Sequence, residues 1–307
     1  MIARLAVPLT VVVLTCATTP GFAAHAGIER EFRSAMSLAR DGDLQADWNK
    51  MLDARARLER LASEKNIAAH VHFQLGYLEW RLSSLAYMST GFRGQVPHWR
   101  RAVAELERAV ARRPDLADAH ALIALCNTVL LSVDASQADR LKPQIEASWK
   151  AALDATQPSP RALLFRAITV FSTPPTFGGN QVTGLELWRD AITRLESEKP
   201  SDPLASEWGL AEAWGWLGGA YLMQGDAARA KPALTRALAL RKDFWWVSRI
   251  AMPQAERPAA SAAESRTGRV SSALVRLGFT QAMVDWAMTF ASAIARTIQV
   301  LATAVAH

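Results

Sequence analysis

The sequence is poor in the residues that build compact chemistry: 307 residues hold only 2 Cys, 3 Tyr and 6 His. Two cysteines cannot staple a disulfide framework, so the fold must rest on a hydrophobic core. No HExxH, CxxC or DxDxDG run occurs. His70 and His72 are two residues apart, which sets them about 200° apart around a helix and keeps them from sharing a metal. The expectation is no metal and no cofactor. A G-x-S-x-G nucleophile elbow and a G-x-x-x-x-G-K-[ST] phosphate loop are also missing, so a non-catalytic protein is expected. No stretch sustains the apolar/polar alternation of a strand. Positive charge is never concentrated: 35 Lys and Arg are interspersed with 29 Asp and Glu, and the formal charge is only +6. That pattern argues against a nucleic-acid partner.

What is present begins with a leader. Arg4, an apolar stretch Leu5 to Leu14 and the small residues between Gly21 and Ala26 read as a signal peptide over residues 1–26. The apolar stretch is too short to favour a bilayer span. Export across the inner membrane, with a periplasmic destination, is the expectation, and loss of Arg4 lowers the charge to +5. Cys16 offers lipoprotein processing as a second route, but Thr15 fits badly before a lipidated cysteine. Cys126 lies among Leu122, Ile123, Leu125, Val129 and Leu130 and reads as a buried small hydrophobe rather than a nucleophile.

The most structured motif is Trp214-Gly-Trp-Leu217-Gly218-Gly-Ala-Tyr221, followed by Ala230, Leu234 and Ala237. It resembles a tetratricopeptide repeat, with Leu234 where Phe is usual and Lys242 where Pro is common. In this reading Gly218 lets two helices approach closely, and Gly225-Asp226 ends the first helix and caps the second. Weaker copies of the second-helix pattern occur at Ala54-Leu58-Leu61, Ala102-Leu106-Ala109, Ile145-Trp149-Ala152 and Gly184-Trp188-Ala191. The anchors Ala109, Ala152, Ala191 and Ala237 are 43, 39 and 46 residues apart rather than the usual 34.

Helical periods are expected over 28–40 with 44–64, 67–89 with 98–112, 117–133 with 138–155, 160–172 with 182–196, and 204–223 with 227–241. The fold class expected is all-α. The resemblance implies a right-handed solenoid of about five hairpins over residues 27–252, whose first helices line a concave surface. It further implies a binding or scaffolding module that recognises a protein or peptide there. The alternative is an accessory subunit of a solute transporter with an apolar, Trp-lined ligand pocket.

Site residues follow from that register. Trp149, Trp188 and Trp214 fall at packing positions, whereas Trp80, Trp208 and Trp216 are the candidates for a groove. Asp118 and Glu212 sit second in their first helices and Arg161 opens another, so all three are candidates to face the groove. Glu105 and Glu107 read as solvated helix positions. The Thr173-Pro-Pro-Thr-Phe177-Gly178-Gly179-Asn180 loop resembles one in secreted bacterial proteins of tetratricopeptide type. Its glycines suit a turn, and Asn180 suits a helix cap.

Residues 253–270 read as a linker. Beyond it, within 271–307, Phe279, Met283, Trp286, Phe290, Ala293, Thr297, Val300 and Ala304 follow helical spacing. This long apolar helix has three open fates: a cap on the array, an oligomerisation helix, or membrane association through residues 279–306.

Overall fold

The computed structural model describes residues 20–154, 158–199, 202, 204–205 and 208–257. Most of the expected leader, Cys16, most of the linker and the whole apolar segment 271–307 lie outside the described residues. Among the described residues the structure is all-helical, with no strand.

Ten helices form five neighbouring pairs: α1 (Pro20–Gln45) with α2 (Trp48–Leu61), α3 (Ala68–Thr90) with α4 (Phe92–Arg112), α5 (Ala117–Val133) with α6 (Ala138–Leu153), α7 (Pro160–Ser172) with α8 (Gln181–Glu196), and α9 (Leu210–Met223) with α10 (Ala227–Leu240). A π-helical turn (Val247–Ala251) and the short α11 (Met252–Ala255) then pack on α10. Residue 253, where a linker was expected to begin, is therefore helical, and Ala255 is buried.

The second-helix anchors face the core in every pair. Ala54, Leu58, Ala102, Leu106, Ala109, Ala152, Ala191, Ala230, Leu234 and Ala237 are fully buried, and Trp149 and Trp188 are nearly so. Gly218 does what its place in the motif requires. A Cβ there would lie 2.6 Å from Leu234 Cγ, closer than real contacts allow, so only glycine admits Leu234. The same device recurs at Leu75-Gly76 on α3, where a Cβ would meet Leu106 Cγ at 2.5 Å. Leu75-Gly76 thus repeats Leu217-Gly218, and Leu106 repeats Leu234.

Helix ends are set by side chains. Asp226 accepts from the Arg229 N–H at 2.9 Å after Gly225 turns at φ 76°. Asn180 accepts from the N–H groups of Val182 and Thr183 at 2.9 and 3.1 Å, starting α8 as expected. The three largest departures from the expected boundaries are helix starts. α1 is already helical at Pro20, the first described residue and eight before the expected start, and runs through the expected cleavage region. α4 begins at Phe92, not at 98, because Pro97 is its sixth residue and faces solvent, where water can serve the freed carbonyl. α9 begins at Leu210, not at 204, because Gly209 adopts φ 134° and breaks the helix before it.

The first and last pairs touch. Gln45 Nε2 of α1 donates to Asp243 at 2.9 Å, and Arg241 Nη2 donates to Asp41 at 2.8 Å. The inner helices consequently meet around a common interior rather than along an open row.

Candidate functional site

The interior is aromatic. Tyr77 of α3 stacks on Trp208 with centroids 4.4 Å apart and planes 25° from parallel. Trp80 lies edge-on to Phe165 of α7 at 5.4 Å and to Trp216 of α9 at 6.0 Å. Phe165 and Trp216 in turn approach Trp208 at 5.6 and 6.4 Å. Five rings from three helices and one loop therefore form a single packed cluster. Offset and edge-on geometries of this kind each contribute about 1 kcal/mol beyond the area they bury.

Cations lie over three of these rings. The Arg81 guanidinium lies 5.0 Å over Trp80 and 5.7 Å over Trp216, and Arg161 lies 5.6 Å over Trp208. Each cation is also paired. Arg81 Nε donates to Asp43 of α1 at 2.8 Å. Arg161 holds Glu198 through both terminal nitrogens, at 2.6 and 2.9 Å, and its Nε donates to the Trp208 carbonyl at 2.8 Å. That last bond fixes the loop carrying Trp208.

Acids complete the network. Burial pushes the Asp43 carboxyl above its ordinary pKa, against the pull of Arg81. Burial likewise raises Tyr77 well above the usual phenol range. Glu212 is fully buried: one oxygen accepts from the Gly209 N–H at 3.0 Å and the other lies 3.5 Å from Arg40 Nε. Its first role is therefore to close the N-terminus of its own helix, in the manner of a capping box. Asp118 is raised by burial, opposed by Arg161, and accepts a short hydrogen bond from the Ser159 hydroxyl.

The six residues expected at a groove thus divide. Trp80, Arg161, Trp208 and Glu212 are buried, Asp118 and Trp216 only partly. Trp80, Arg161, Trp208, Glu212 and Trp216 belong to one connected interior, and Asp118 sits at its Arg161 edge. Trp208 comes from the loop before α9 rather than from a helix, a placement that Gly209 enforces. Trp216 carries the cluster to the surface, beside Arg81. Tyr77, Phe165, Arg81 and Asp43 were missed by the register argument. For Tyr77 and Arg81 the signal was the Leu75-Gly76 pair, which assigns α3 the same inward face as α9; Phe165 of α7 and Asp43 of α1 carry no such mark.

Gly178 adopts φ 84° and Gly179 packs against the Thr173 carbonyl, where a Cβ would fall 1.6 Å from the oxygen. The loop they form leaves Phe177 exposed. Cys126 is buried among the α5 side chains, and desolvation raises its thiol far above the ordinary value, which keeps it unreactive.

Three histidines are structural partners. His70 Nε2 pairs with Asp202 at 2.8 Å, His72 Nδ1 with Glu105 at 2.7 Å, and His98 Nδ1 with Glu79 at 2.6 Å. Glu105 is therefore bound rather than merely solvated, because α3 brings His72 across to it. No cluster of three potential metal ligands occurs among the described residues. No described helix is long and apolar enough to cross a membrane. No protein-family model matches the chain, and no curated protein matches it.

Proposed function

We propose that the protein is a non-catalytic binding module of tetratricopeptide type, a right-handed array of about five hairpins, exported to the periplasm, that recognises a protein or peptide segment on its inner face. The observation that carries this reading is Trp216. It is the partly exposed member of the cluster, and its own ring is held by Trp80, Trp208 and Arg81. A rigid, partly exposed aromatic ring with a cation over it is an anchor that costs little entropy on binding. In this reading Trp80, Arg161, Trp208 and Glu212 support the anchor from beneath and do not touch the partner. Asp118 and the Phe177-Gly178-Gly179-Asn180 loop lie outside the contact.

A second reading is favoured by the aromatic convergence itself: a small apolar ligand enters between the rings of Trp80, Trp208 and Trp216, as an accessory subunit of a transporter would require. Crosslinking and recovery from the native envelope separates the two. The first reading predicts a discrete protein partner recovered with wild type and lost with Trp216→Ala. The second predicts no protein partner and a Trp emission change on adding an extract of small molecules. Retention of the same partner by Trp216→Ala overturns the inner-face assignment.

A further inference from the structure

The outer face of α10 carries a concavity of about 750 Å³. Along its floor run Ala228, Pro232, Thr235 and Ala239, all exposed, with Lys231 at one flank and Ala255 of α11 at one end. Their spacing of four, three and four residues places them in one line along the helix. α5 packs on α4 and α9 packs on α8, whereas among the described residues α10 is followed only by the π-helical turn and the short α11.

The chain supplies a matching partner. Phe279, Met283, Trp286 and Phe290 have the same spacing of four, three and four, but with large side chains where α10 has small ones. Large knobs on one helix and small residues on its neighbour are the complementary surfaces of close helix packing. The described chain reaches Arg257 beside this groove, where Glu256 lies 3.9 Å from Lys231. The connecting residues 258–278 span up to about 70 Å when extended, and the groove is about 17 Å long, so reach is no obstacle.

We propose that residues 279–290 of this same chain dock in the α10 groove, Phe279, Met283, Trp286 and Phe290 covering Ala228, Pro232, Thr235 and Ala239. The segment is then an intramolecular cap, and neither a membrane anchor nor a dimerisation helix. The proposal is independent of what the inner face binds.

Cysteine pairing in the full-length chain tests it. In a Cys16→Ser background, Ala228→Cys or Ala239→Cys is combined with Phe279→Cys or Phe290→Cys and oxidised in dilute solution. Cys126 is buried and does not compete. The expected result is an intrachain disulfide in the two combinations of one helix direction, with Gln281→Cys, on the opposite face, giving none. Thr235→Arg changes only an exposed side chain, and it should lower the disulfide yield about tenfold by blocking the groove. Interchain disulfides alone identify a second copy as the occupant and overturn the proposal. So does the absence of disulfide in all four combinations, or a yield that Thr235→Arg leaves unchanged.

Discussion

Arg241 Nη2 donates to Asp41 Oδ1 at 2.8 Å, although two hundred residues separate the two. Arg241 also grips Asp243 through Nε and Nη2, both at 2.9 Å, and Asp243 accepts from Gln45 at 2.9 Å. One arginine therefore ties the end of the last hairpin to the first helix. With Arg40 near Glu212 and Asp43 on Arg81, α1 becomes a wall of the aromatic interior.

Arg241→Ala should destabilise the protein modestly, by about 1 kcal/mol, because the groups are partly solvated and screened. Asp41→Ala should add little to it. Urea denaturation of both single variants and the double variant checks this; full additivity would show that the two residues act separately.

Asp43 and Arg81 are a buried pair, so single and double changes should differ in kind. Arg81→Met leaves a carboxylate buried among rings and should cost about 3 kcal/mol or more. Arg81→Met with Asp43→Leu should cost less than Arg81→Met alone. Denaturant midpoints for the three variants decide the order, and a double variant that loses more than the single contradicts the pairing.

Gly218→Ala should cost about 1–3 kcal/mol despite the better helix propensity of alanine, because the new methyl meets Leu234. Gly76→Ala should do the same against Leu106. Gly27, with open space around its missing Cβ, is the control: Gly27→Ala should leave the thermal midpoint unchanged or raised.

Asp202 gives a pH dependence with a defined sign. Burial opposes ionisation, but hydrogen bonds from His70, the Leu204 N–H and Arg113 hold its pKa down to about 2. A depressed folded-state pKa stabilises above the unfolded value, and that contribution is lost as pH falls. The wild type should therefore lose on the order of 1 kcal/mol relative to Asp202→Asn between about pH 5 and pH 2. Equal pH profiles for the two proteins would remove Asp202 from the account.

The helical pairs were legible because their cause is local. Ala102-Leu106-Ala109 and Ala230-Leu234-Ala237 print a buried face at helical spacing, and Asn180 and Asp226 announce the helices they cap. The start of α9 was not legible, since Leu204 and Trp208 continue an apolar pattern and only the positive φ of Gly209 ends it. The convergence of the interior was hidden for another reason. It depends on contacts between distant helices, such as Asp41 with Arg241 and Trp80 with Trp216, which no period in the chain encodes. The repeat register puts Glu212 and Arg161 at a groove; in the structure both hold the loop that carries Trp208.

A partner seated against the partly exposed Trp216 is within reach of a crosslinker placed there. A photo-crosslinking amino acid at position 216, compared with one at the exposed position 142 on α6, tests it in the native envelope. A discrete protein adduct is expected from position 216 and none of the same mass from 142. No adduct at 216, or the same adduct from both positions, would contradict it.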